Sequence, residues 1–158
     1  MSRDRPVGRR TALAALVATL MPVLGLTACT SKDDGSGTSV MNVKAGQCFL
    51  APDKIEDQIK DVERVDCAKP HAQEAYATPT YDAAGDAFPG DDKIDKFAEG
   101  ACAEQFGDYV GVDYLDSSLF FTYLAPSARS WQQDDRTVLC FVTSTGEPLV
   151  GSVKGRAV

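Results

Sequence analysis

The sequence predicts an α+β domain over residues 43–158: a small, mainly antiparallel sheet with one principal helix and two disulfides. Three observations predict it. One apolar stripe with helical spacing follows Asp91-Asp92. Several short β-branched and aromatic runs are separated by Gly and Pro. Four cysteines, Cys48, Cys67, Cys102 and Cys140, lie behind an export signal. This stretch is long enough for one domain with one core.

Residues 1–28 are read as a lipoprotein signal peptide. Arg3, Arg5, Arg9 and Arg10 form a basic head, and Thr11–Leu26 then runs sixteen residues without a charge. That is short of the ~20 residues a membrane-spanning helix needs. The run closes on Leu26-Thr27-Ala28-Cys29, which resembles a bacterial lipobox. The resemblance implies cleavage before Cys29 and a diacylglycerol on its thiol. Arg9-Arg10 followed by Thr11-Ala12-Leu13 matches a twin-arginine signal loosely, so either export route stays open. Residues 29–42, the lipidated Cys29 and a polar run rich in Gly and Ser, are read as a flexible tether. A single acyl chain binds a bilayer marginally at ~0.8 kcal/mol per buried CH₂, whereas two hold. The expected location is the extracytoplasmic face of the cell membrane, with the membrane contacted through the lipid on Cys29.

The whole chain carries a net charge of −7, and its first 28 residues hold four arginines against one acid, so the remainder is more negative still. No basic patch is present for nucleic acid. The acids at Asp91-Asp92, Asp113 and Asp116, and Asp134-Asp135 lack the spacing of a calcium loop and read as solvated faces. No nucleic-acid partner, metal or cofactor is expected.

Along the domain, Val43–Leu50 reads as a turn entering a strand at Cys48 and Phe49. The charged stretch Lys54–Val62 carries Ile55, Ile59 and Val62 at helical spacing but is too short to assign. Val65–Cys67 is a strand stopped at Lys69-Pro70, and Ala75–Tyr81 is a strand that Pro79 pushes to a sheet edge. Tyr81–Gly90 is a loop. The principal helix starts at Asp91 and Asp92, where a first turn favours negative charge. Ile94, Phe97, Ala98, Ala101 and Cys102 make its stripe, and Gly107 is the expected stop. Leu119–Leu124 is a strand, and Pro126–Gln133 forms a short helical turn around Trp131. Thr137–Ser144 is the clearest strand, with Val138, Cys140 and Val142 on one face and Leu139 and Phe141 on the other. Leu149–Val153 is expected to return as its hairpin partner.

Four cysteines in a small exported domain allow three disulfide connectivities. Cys48–Cys67 is expected because it closes a short loop between two extended stretches. Cys102–Cys140 is expected because a helix laid on the sheet sets the buried stripe against the middle of the best strand, within ~5.5–6 Å between Cα atoms. A zinc site is disfavoured because no pair has knuckle spacing, and a catalytic dithiol because there is no Cys-x-x-Cys.

Taken together, Gly46-Gln47-Cys48-Phe49, Val65-Asp66-Cys67-Ala68-Lys69-Pro70-His71 with Glu74, a helical Cys102, Trp131 with Asp135-Arg136, Cys140-Phe141 and Gly151-Ser152 make a distinctive order. It resembles the actinobacterial domain named for septum formation, over about Val43–Gly155. The resemblance implies an extracytoplasmic domain linked to the division septum and no established catalytic residue. Asp134 departs from the pattern, standing where Gly is expected, a change that bears on a turn.

His71, the only histidine, with Asp66 and Glu74 close by, forms either an exposed recognition pair or a general base. The competing reading is a Pro-His turn whose ring caps backbone carbonyls or packs on the Cys67 bridge. Trp131 beside Arg136 suits sugar or peptide binding, against core packing of the sole Trp. His71, Glu74, Trp131 and Arg136 are therefore the candidate recognition residues, and no catalytic residue is assigned, since neither a nucleophile nor a metal set accompanies the histidine. Two expectations of function follow. One is a non-catalytic binding module whose partner is an envelope protein or cell-wall polymer. The alternative is a small cell-envelope enzyme using His71 with Asp66 and Glu74.

Overall fold

The structure, a computed structural model, describes residues 37–52, 59–82 and 85–158. Six strands form one sheet: β1 (Gly37–Ser39), β2 (Cys48–Phe49), β3 (Asp61–Val65), β4 (Gln73–Ala77), β5 (Phe120–Leu124) and β6 (Leu139–Thr143). Their order is β1-β3-β2-β4-β6-β5, and every pairing is antiparallel. Helix α1 (Asp91–Val110) and the single turn α2 (Ala128–Trp131) complete the α+β domain. Among the described residues no helix is long and apolar enough to cross a membrane.

Alternation along β6 divides the interior in two. Cys140 and Val142, with Val138 just before the strand, join Ala98, Cys102, Phe106 and Val110 of α1 in the larger cluster. Leu139 and Phe141 face the other way, against Val43, Phe49 and Ala75. A strand buried on both faces becomes a continuous apolar run, and Val138–Val142 is one. Both expected disulfides are present. Cys102–Cys140 staples α1 to β6 at a Cα separation of 5.6 Å, and Cys48–Cys67 ties β2 to the turn after β3 at 5.2 Å.

Several expectations are corrected. Helix α1 passes through Gly107 and ends at Gly111, whose φ of 93° is the left-handed stop; its N–H donates to the Gly107 carbonyl. Phe106, Tyr109 and Val110 thereby extend the buried stripe. Strand β4 is interior, between β2 and β6. It ends at Ala77, so Pro79 lies outside the ladder and costs it no donor; the Pro79 carbonyl instead accepts from Val138 N at 2.8 Å. Leu149–Val153 is not a hairpin partner, because β4 and β5 occupy both sides of β6; Leu149 makes an isolated antiparallel bridge with His71. Residues 37–42, read as the end of the tether, form β1 and a 3-10 turn at Val40–Asn42. Asp61 and Val62 belong to β3, and Cys67 lies beyond it in a turn. The signal peptide, Cys29, Lys54 and Ile55 lie outside the described residues.

Candidate functional site

The antiparallel register of β2 and β4 sets Cys48 opposite Glu74, three residues beyond His71. Both His71 and Glu74 are buried, at 1% and 0% exposure. Neither presents a group to solvent, so the expected exposed recognition pair is an interior one. Asp66 remains exposed, and its carboxylate accepts from Ala68 N, shaping the turn at Cys67.

The His71 backbone is fixed by two bonds with Leu149, N to O in each direction at 2.9 Å. Its Nδ1 lies 2.9 Å from the Lys69 carbonyl. A carbonyl only accepts, so in the neutral ring Nδ1 carries the hydrogen and Nε2 the lone pair. That Nε2 is buried without a hydrogen-bond partner among the described residues. A cavity of about 310 Å³ passes beside the residue, between Pro70, Ala72, Thr143 and Pro148.

Glu74 is fully engaged. The Tyr109 hydroxyl donates to Oε1 at 2.5 Å and the Ser152 hydroxyl donates to the same oxygen at 2.6 Å. Val153 N–H donates to Oε2 at 2.8 Å. Burial, then the bond to Glu74 and its charge, push the Tyr109 hydroxyl well above the usual tyrosine range. Three segments, β4, the last turns of α1 and the C-terminal strap, thus meet at one carboxylate.

Cys48 Sγ, a His71 ring nitrogen and a Glu74 oxygen lie within 4.8 Å of one another. This is the spacing of metal ligands, but the donor chemistry does not fit a metal. Cys48 sulfur is bonded to Cys67, and only a thiolate ligates or attacks. Glu74 already accepts from three donors. The arrangement holds a fold together and offers no free nucleophile.

Trp131 is 2% exposed. Its Nε1–H donates to the Asp86 carbonyl at 2.8 Å, and Tyr81 and Phe88 pack edge-on against the ring. The Arg136 guanidinium stacks 3.7 Å from the ring centroid and donates to the Trp131 carbonyl at 2.7 Å. Both members of the expected sugar- or peptide-binding pair are therefore turned to packing the loop before α1, because the half-buried Arg136 caps the indole face that a ligand would need.

The bonds of Tyr109, Ser152 and Val153 to Glu74 are not legible in the sequence. Tyr109 follows Phe106 by three residues on the α1 stripe, a signal available once the helix is carried past Gly107. Gly151-Ser152 belongs to the family pattern, but nothing local to Ser152 points to a partner 78 residues away.

A family model described as septum formation matches residues 45–155. Searches of curated proteins and of solved structures each return no match to the chain.

Proposed function

The chain belongs to the septum formation family, and from that premise we propose that it is a non-catalytic binding module of the cell envelope, held at the extracytoplasmic face of the cell membrane by lipid on Cys29 and acting in septum formation. The observation that carries the non-catalytic reading is Glu74. Its oxygens are spent on Tyr109, Ser152 and Val153, so the one acid buried beside His71 is a fastener. A general base needs a partner that orients it and a proton to take from substrate, and His71 Nε2 is buried with no hydrogen-bond partner among the described residues. Envelope placement is supported by the basic head, the short apolar run and Cys29 at its end. Two disulfides suit an oxidising compartment. The partner is an envelope protein or a cell-wall polymer, met by a domain that stands off the lipid on its tether.

Proximity crosslinking from the full lipoprotein on intact cells tests this. The expected result is a reproducible envelope partner whose capture needs Cys29 and persists in His71→Asn, which keeps a donor toward Lys69. Absence of any partner, or loss of function in a His71→Asn protein of unchanged stability, contradicts the proposal.

A further inference from the structure

Among the described residues β5 is paired on one side only, by β6. Its sequence, Phe120-Phe121-Thr122-Tyr123-Leu124, contains no charge, no Pro and no Gly. Edge strands are normally blunted by such residues or by being very short. The β5 edge has five residues and none of these protections. Apolar surface continues into it, since Phe120 is 42% exposed and Leu115, in the turn before, 87%.

The same strand borders a cavity of about 630 Å³, within the ~300–1,000 Å³ range of ligand sites. Thr122 and Leu124 line it together with Phe141 of β6 and with Asp61 and Glu63 of β3; among the described residues Lys60 is the cation there. Behind the strand, the Tyr123 hydroxyl lies 3.5 Å from Asp95 on α1. Burial, then the charges of Asp95 and Glu99, push that hydroxyl above its usual range. Both acids are exposed.

We propose that β5 is a docking edge, and that an extended, cationic segment of an envelope partner adds to it as a further strand. Backbone bonding supplies affinity, and Asp95 and Glu99 behind the strand, with Asp61 and Glu63 across the cavity, select positive charge. A second copy of the chain fits less well. Each copy carries the same acids beside the strand and a net charge of −7, so edge-to-edge pairing sets like charges together. The proposal deepens the binding function and rests on it.

The test follows backbone hydrogen exchange in the oxidised full-length protein. The probes are the capped peptide Lys-Val-Lys-Val-Lys-Val-Lys and its counterpart with Glu for Lys. The lysine peptide is expected to slow exchange within Phe120–Leu124 by about tenfold, and high salt to weaken the effect. Asp95→Lys with Glu99→Lys is expected to reduce its affinity about tenfold, and Phe120→Lys, at an exposed position, to abolish protection. Protection elsewhere, or equal protection by both peptides, overturns the proposal. Concentration-dependent protection without peptide gives the edge to a second copy and also overturns it. In cells, a partner captured equally by Phe120→Lys overturns the edge while leaving the binding function intact. No partner for any variant contradicts the binding function itself.

Discussion

Glu74 shows how a residue that looks chemical in the sequence becomes mechanical in the fold. Replacing it with Gln keeps the size but puts an amide NH₂ among three donors. Leaving buried donors unpaired costs ~1–3 kcal/mol each, so Glu74→Gln is expected to destabilise by about 3 kcal/mol in urea unfolding. A loss below ~1 kcal/mol means the carboxylate is not a fastener. Tyr109 and Tyr76 give a pH signature. Burial raises both hydroxyls, and Tyr76 donates to the Cys102 carbonyl at 2.6 Å. Their folded values lie above the unfolded value of 10.0, so this stability is complete below pH 10 and is lost as pH climbs through the folded values. The expected outcome is a steep fall in stability above pH 10, shallower in Tyr76→Phe. Asp134 supplies a third test. Its φ of 61° is left-handed, which Asp tolerates and Gly prefers. Asp134→Gly is expected to hold or raise the melting temperature, and Asp134→Val to lower stability by about 1 kcal/mol.

At the scale of elements, the two disulfides act on different lengths of chain. Cys48–Cys67 spans 19 residues and Cys102–Cys140 spans 38. Loop-closure entropy gives about 3 kcal/mol for the first and about 4 kcal/mol for the second. Paired Cys→Ala variants, compared by chemical denaturation, are expected in that order, the second being worse also because both its cysteines are fully buried. Those staples were legible because a helix stripe and a two-faced strand each announce their buried side by spacing alone. The start of α1 was legible in the same way. Its end was not: Gly107 reads as a stop, but the stripe of Phe106, Tyr109 and Val110 packs well enough to carry the helix to Gly111. Strand neighbours were the least legible feature. Pro79 suggested an edge for a strand that ends before it, and nothing local to Leu149–Val153 reveals that β6 already has two partners. His71 and Glu74 are neighbours in the chain, but Glu74 is fastened inside by Tyr109, 35 residues away, and by Val153, 79 residues away.

Across the whole molecule, the C-terminal strap closes the fold. Gly151 N donates to the Cys67 carbonyl, Gly155 N to Tyr109, and Ala157 N to Val110; the Ser117 hydroxyl donates to the Val158 carbonyl. Glu74 anchors the same strap from inside. The strap thus locks the core, and the Glu74 carboxylate that suggested chemistry is consumed in locking it. Among the described residues, what is left for function is surface: an acidic domain with the unprotected β5 edge. The most direct measurement is the position of the full-length protein in growing cells, carried by a tag that fluoresces outside the cytoplasm, with Cys29→Ala as control. The account predicts enrichment at new septa that is lost when Cys29 is replaced. Uniform envelope labelling, or septal enrichment indifferent to Cys29, contradicts it.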